Sequence, residues 1–352
     1  MGSLKVVHTD MNLSPDSKEV AADPRLERLQ TWLQKVTGIA SFNITPASED
    51  ASFRRYFRAS FDGMTRIVMD APPDKEDCRP FIHAAGLLRD AGVHAPEILA
   101  QDLVQGFLLL EDLGRATYLD VLNEENASEL FRDAIDALIR WQLSTKSEQL
   151  PPYDEPLLRR EMNLFPEWYI ARHLSVSLTP QQQAALDAIF ALIIQQNLSQ
   201  PQVYVHRDYM PRNLLVSNPN PGIIDFQDAV IGPITYDVVS LFKDAFISWS
   251  EERVLHWSIR YWEKARRAGL PVRPDFGQFY QDFEWMGLQR HLKVLGIFAR
   301  INYRDGKPRY LADTPRFMNY VGKVAERYSA LTPLLRVLDE LAGRTVQVGD
   351  TF

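Results

Sequence analysis

The stretch VYVHRDYMPRNLLVSNPNPGIIDF, residues 203–226, holds residues whose types and spacing can do chemistry. Val203–Val205 reads as a buried strand, and His206-Arg207-Asp208 follows at its end. Asn213 stands five residues after Asp208 and opens a second short strand, Leu214–Val216. Asn218-Pro219-Asn220-Pro221-Gly222 forms a turn that reverses the chain, so Ile223-Ile224 returns Asp225 to the side of Asn213. A carboxylate and an amide oxygen on adjacent strand ends are hard donors suited to one magnesium ion. Asp208, one loop earlier, remains to accept a proton. Phosphoryl transfer to a hydroxyl requires both parts: a cation to neutralise the phosphates and a base to orient the attacking hydroxyl. A single aspartate here would read as a loop residue satisfying backbone donors. The combined spacing separates the two readings.

Other elements must hold these groups. The chain has 352 residues, 45% hydrophobic and 24% charged, which excludes a disordered or collagen-like protein. Its length predicts about two domains. Cys78 is the single cysteine, excluding an intrachain disulfide framework and a cysteine zinc site and pointing to a reducing cytoplasm. No apolar run approaches the ~20 residues of a membrane span. The first residues lack the apolar core of a secretion signal. A net charge of −7 speaks against a nucleic-acid partner. No obligate protein partner is evident.

Residues 1–22 read as a loose leader. Asp23-Pro24 starts a helix that carries Leu26, Leu29, Leu33 and Val36 and ends at Gly38. Ser41–Thr45, Arg55–Phe61 and Thr65–Asp70 read as strands, the last two joined by Asp62-Gly63. A helix over Pro80–Asp90 precedes strands Glu97–Gln101 and Phe107–Leu110. Helical spacing then dominates: around Leu130–Trp141, after the Thr179–Gln182 capping box, and over Ile234–Phe246, Glu251–Ala268, Phe276–Asn302 and Thr314–Leu341. Val203–Asp225 is the only strand-like interruption. The expectation is an α+β protein. A β-rich, nucleotide-binding lobe spans 23–112 and a larger helical catalytic lobe spans 113–352, joined near Glu111–Gly114.

The order His206-Arg207-Asp208, Asn213, Asp225-Phe226 resembles the H-R-D-x-x-x-x-N and D-F-x signature of protein kinases and aminoglycoside phosphotransferase-type small-molecule kinases. The second group is the closer likeness. Asp225 follows Asn213 by twelve positions, Gln227 replaces the glycine of D-F-G, and no long activation loop follows. The continuation IGPITYDVVSLFKDAF (231–246) also resembles that family. Further blocks are similar to its branch of bacterial anomeric amino-sugar kinases: DASFRRYFRASFDG (50–63), VMDAPPDKED (68–77), GFLLLEDLG (106–114), HRDYMPRNLL (206–215) and QRHLKVLGIFARI (289–301). The resemblance spans most of 25–340. It implies a protein kinase-like bilobal fold and the cofactors ATP and Mg2+. It also implies cytoplasmic phosphorylation of the C1 hydroxyl of N-acetylmuramate and N-acetylglucosamine to the α-1-phosphate, in peptidoglycan recycling. By the same resemblance Asp208 is the base, Asn213 and Asp225 hold magnesium, and His206 and Asp237 support the loop.

The sequence departs from the kinase pattern where a strand lysine and a helix glutamate usually hold the nucleotide phosphates. Those positions fall on Met69 or Asp70 and near His83. Either the chain only binds nucleotide, or other cations take over; Arg54, Arg55, Arg58 and Lys75 are available. The phosphate turn is read at 51–55, with Ser52, Phe53, Arg54 and Arg55 as nucleotide contacts. Glu111 and Leu113 are placed against adenine through their main chain. For the acceptor, Glu161, Asn163 and Arg172 lie in one polar-aromatic segment and Arg300 in another, beside Arg290, His291 and Lys293. Arg212 sits within the catalytic loop. An arginine among these would grip an acceptor carboxylate, or the same residues form a salt-bridged helix face. An aminoglycoside, choline or homoserine kinase of the same fold is the alternative activity.

Overall fold

The computed structural model describes residues 23–48, 53–61 and 63–343. The leader, Ser52 and Asp62 lie outside the described residues. Asp23 caps the first helix, α1 (Pro24–Thr37), accepting the Arg25 and Leu26 N–H groups at 3.1 Å each. Pro24 opens the helix, and Gly38 closes it at φ 71°. Five strands follow, all antiparallel: β1 (Asn43–Ser48), β2 (Arg55–Phe61), β3 (Met64–Asp70), β4 (Ile98–Asp102) and β5 (Phe107–Glu111), in the order β1-β2-β3-β5-β4.

Alternation along the strands sorts the two faces. Phe57, Ala59 and Phe61 of β2 join Val68, Phe107 and Leu109 under Leu29, Trp32 and Leu33 of α1. On the other face Met69, Leu108 and Leu110 meet Phe81, Ala84, Ala85 and Leu88 of α2 (Arg79–Asp90) and continue into the main core. Asp70 is fully buried, on the α1 side. The Nε atoms of Arg25 and Arg55 both donate to it at 2.9 Å, and Arg55 also pairs with Asp23. This corrects the expectation for Arg55. Its guanidinium ties α1 to the sheet and is not a cleft contact.

The remaining elements are mostly helical: α3 (Tyr118–Val121), α4 (Ala127–Leu143), α5 (Glu155–Met162), a π-helix (Phe165–His173) and α6 (Pro180–Leu198). Then come β6 (Gln202–Val205), β7 (Leu214–Leu215), β8 (Gly222–Ile223) and β9 (Val230–Pro233), followed by α7 (Tyr236–Phe242), α8 (Glu251–Arg267) and α9 (Phe276–Asp305). Two last helices, α10 (Thr314–Arg327) and α11 (Thr332–Leu341), close the described chain. The Thr179–Gln182 capping box forms as read, with both reciprocal bonds present.

Two readings are corrected. The single helix expected over Thr314–Leu341 breaks at Tyr328, which is extended at φ −117°, ψ 114°, and resumes with Pro333 in its first turn. The strand-like interruption does not end at Asp225: β9 pairs antiparallel with β6, Val205 opposite Val230. That strand is only four residues long, too short for its alternation to stand out.

Candidate active site

The candidate loop begins at His206, where β6 ends. His206 is fully buried and bridges the loop. Its Nε2 donates to the Ile224 carbonyl at 3.1 Å, and its Nδ1 accepts the Asp208 N–H at 3.3 Å. One ring nitrogen must donate and the other accept, so the imidazole is neutral in this arrangement. Burial agrees, pushing its pKa down to about 4. Asp237 lies in the first turn of α7, not at its N-cap, which is Thr235. Its two carboxylate oxygens accept the N–H groups of His206 at 2.7 Å and Arg207 at 3.0 Å. Burial raises the Asp237 pKa to about 7 against the lowering effect of those two bonds. Arg207 and Asp225 both adopt left-handed backbone, at φ 75° and 66°. That conformation costs non-glycine residues free energy and concentrates at functional loops.

Asn213 ends a short 3-10 turn (Pro211–Asn213) and leads into β7, while β8 returns the chain. Its Nδ2 donates to the Asp208 carbonyl at 2.9 Å and to Asp225 Oδ2 at 3.2 Å. The amide oxygen is therefore left for a ligand. Gln227, noted in the sequence only as a departure, donates to Asp225 Oδ1 at 2.8 Å.

A cleft of about 620 Å³ runs between the sheet and the helices. Glu111, Asp112 and Leu113 form its back, Ile67 and Leu110 its roof, and Asn213, Asp225 and Arg212 its floor. The Arg212 guanidinium lies 5.3 Å from the Phe246 ring centroid. Arg58 does not project as a free cation. It makes a bidentate pair with Asp112 at 2.6 and 2.9 Å and donates to the Gly114 carbonyl at 2.8 Å. Met69 is fully buried beneath this cleft face, so the strand position of the usual lysine is apolar here. Arg54 pairs with Glu76 at 2.9 Å, and exposed Phe53 lies under the Lys75 ammonium.

A second cavity, of about 780 Å³, opens on the other side of Arg207. It brings together Glu161 and Arg300 of the acceptor candidates and adds Arg160, Arg207, Lys293 and Gln227. Glu161 is the anion of a buried cluster. It accepts from Lys293 at 2.9 Å, from Gln289 at 3.1 Å, and from Arg207 and the Tyr153 hydroxyl. Burial alone would raise its pKa, yet Lys293 and Arg207 hold it down to about 2. Asn163 and Arg172 line neither cavity; Arg172 is exposed on the π-helix, which corrects their expected place at the acceptor. Lys293 sits one α9 turn from Gln289, and Arg207 joins Glu161 across 46 positions. No local pattern marks such a cluster. Helical spacing along 289–300 was its only trace.

Residues 43–273 match the phosphotransferase enzyme family APH. The chain belongs to this family. This phosphotransferase is 54% identical over 329 residues to the N-acetylmuramate/N-acetylglucosamine kinase of Pseudomonas aeruginosa, covering 91% of this chain and 97% of that one. Its identity to the kinase of the same name from Neisseria meningitidis is 47% over 331 residues, covering 92% and 98%. In fold it is similar to a choline kinase from Cryptosporidium parvum, with a TM-score of 0.61 and 13% identity over 88% of this chain and 98% of the other. The likenesses establish an ATP-dependent phosphotransferase on a bilobal kinase fold. Among the described residues no helix is long and apolar enough to cross a membrane.

Proposed function

We propose that this phosphotransferase moves the γ-phosphoryl group of ATP to the C1 hydroxyl of N-acetylmuramate and N-acetylglucosamine. The product is the α-1-phosphate, and the setting is cytoplasmic recycling of cell-wall sugars. The observation that carries the reading is the junction of Asp208, Asn213 and Asp225, tied together by the Asn213 amide. High identity to kinases named for these two sugars supports the acceptors.

In this reading Asp208 accepts the proton of the attacking hydroxyl. His206 and Asp237 hold the loop that carries it. The Asp225 carboxylate and the Asn213 amide oxygen are hard donors and fit Mg2+, which when bound supplies charge neutralisation on the nucleotide phosphates. Main-chain groups of Glu111 and Leu113 receive adenine at the back of the cleft. Phe53 and Arg54 are assigned to the phosphate end and Arg212 to the transferred group. The lobe boundary is assigned near residue 112; the five-stranded sheet ends at Glu111.

The test is ADP release with a panel of alcohols, followed by phosphorus NMR of the product. The free reducing sugars are expected to react and their 1-O-methyl glycosides to be inert. Phosphorylation of the glycosides, or reaction with choline or an aminoglycoside in place of the sugars, overturns the reading.

A further inference from the structure

The second cavity carries more charge than its own ion pairs consume. Its lining has five cationic side chains, Arg79, Arg160, Arg207, Lys293 and Arg300, against three carboxylates, in a chain whose net charge is −7. Asp77 pairs with Arg79 on the rim at 2.9 Å. Glu161 is shared by Arg207 and Lys293. Of the lining carboxylates only Asp228 is then left for Arg160 and Arg300, with Asp305 near Arg300 from outside the lining. Lys293 is 8% exposed, so the deep end of the cavity is built from a buried cation.

Arg300 is the most exacting of these groups. Its Nε is buried and has no hydrogen-bond partner. Burial and the neighbouring Arg304 push its pKa down, and nearby Asp305 offsets them only in part. A half-buried guanidinium in that state favours an anion, above all one that accepts two parallel N–H bonds.

The cavity also adjoins the chemistry. Arg207 precedes Asp208 in the chain, and Gln227 joins the lining to Asp225 through its 2.8 Å bond. An acceptor held here lies beside the residue that precedes the proposed base and the residue bonded to the proposed metal carboxylate. Apolar Leu164 and Ile297 complete the wall, giving the mixed lining of a small-molecule site.

We infer that this cavity is the acceptor site and that Arg300, seconded by Arg160, binds a carboxylate on the acceptor. The inference rests on the sugar-kinase reading. It selects between the two sugars: N-acetylmuramate carries a lactyl carboxylate and N-acetylglucosamine has none.

The first experiment uses the unaltered protein with N-acetylmuramate and its lactyl methyl ester, which keeps the reacting hydroxyl and removes only the charge. The ester is expected to lose at least about tenfold in kcat/KM, mainly through KM, as befits loss of a charged hydrogen-bonded contact. Equal kcat/KM for acid and ester overturns the inference. The second experiment compares Arg300→Gln and Arg300→Lys. The ratio of kcat/KM for N-acetylmuramate over N-acetylglucosamine is expected to fall about tenfold in Arg300→Gln and to recover in part in Arg300→Lys. A ratio that stays constant while both sugars slow together assigns the cations to the transferred phosphoryl group and also overturns it. Failure of the sugar-kinase reading itself would look different: neither sugar would release ADP with the unaltered protein.

Discussion

Asn213 and Asp225, twelve positions apart, touch through their side chains, Nδ2 to Oδ2 at 3.2 Å. The same amide nitrogen holds the Asp208 carbonyl. One side chain therefore fixes the distance between the proposed base and the proposed metal carboxylate. Asn213→Ala is expected to lower turnover by at least about 10² and to raise the Mg2+ concentration needed for half-maximal rate. A magnesium titration at saturating ATP checks this, and chelation of the metal from the unaltered protein should abolish turnover reversibly.

Asp208→Ala should lower kcat by at least about 10², the usual contribution of a positioned general base. Nucleotide affinity should hardly change, because Asp208 lines no part of the cleft that receives adenine. Steady-state kinetics and a fluorescent-nucleotide titration separate the two effects. Near-normal turnover would remove Asp208 from its role.

His206 makes stability depend on pH. Its folded pKa of about 4 lies below the ordinary 6.5. The unfolded chain therefore takes up a proton that the folded chain refuses. The contribution is complete above pH 6.5 and is lost as pH falls from about 6.5 to about 4, by about 3 kcal/mol. Asp237 works in the opposite sense: its raised pKa of about 7 favours the folded state below pH 3.8, an advantage lost as pH rises to about 7. The unaltered protein thus shows a muted profile. The stability gap between it and His206→Asn isolates the first effect and should shrink between pH 7 and pH 4. Urea unfolding at several pH values measures it, and a constant gap would contradict the assignment.

Asp70→Ala should cost about 3–5 kcal/mol, because it leaves Arg25 and Arg55 facing a buried void without their shared carboxylate. Thermal unfolding reads this directly. A loss below about 1 kcal/mol would mean that the two arginines find water or Asp23 instead.

Gly296 of α9 packs against the backbone of Leu164, where an added Cβ would overlap the Leu164 carbonyl. Gly296→Ala should destabilise the protein by about 1–3 kcal/mol. Leu164 lines the second cavity, so the acceptor KM should shift as well. Calorimetry with acceptor kinetics tests both consequences.

The sequence made the candidate site legible because its parts are local. Asp208, Asn213 and Asp225 lie in one short stretch, residues 208–225, and turn residues at 218–222 announce the reversal. The N-cap at Asp23 and the capping box at Thr179 are equally short-range. Arg55 was misleading for the opposite reason. From the chain alone it joins a cationic turn, yet its partners are Asp70, fifteen positions on, and Asp23, in another element. The Glu161 cluster depends on α5, the catalytic loop and α9 meeting in space. Charge type can be read along the chain, but charge pairing over such separations cannot. The missing lysine is similar: the sequence left Met69 and Asp70 open, and strand alternation decides that Met69 faces α2 while Asp70 faces α1.

The Arg58 bridge has a consequence for how the cleft is held together. It fastens the middle of β2 to Asp112 and Gly114 in the connecting segment. The strand above the nucleotide and the backbone that receives its base must then travel as one jaw. Gly114, at the end of the bridge, has a φ of 117° that favours glycine. One arginine thus keeps the back and roof of the cleft in register, while its floor, with Asn213 and Asp225, belongs to the helical side.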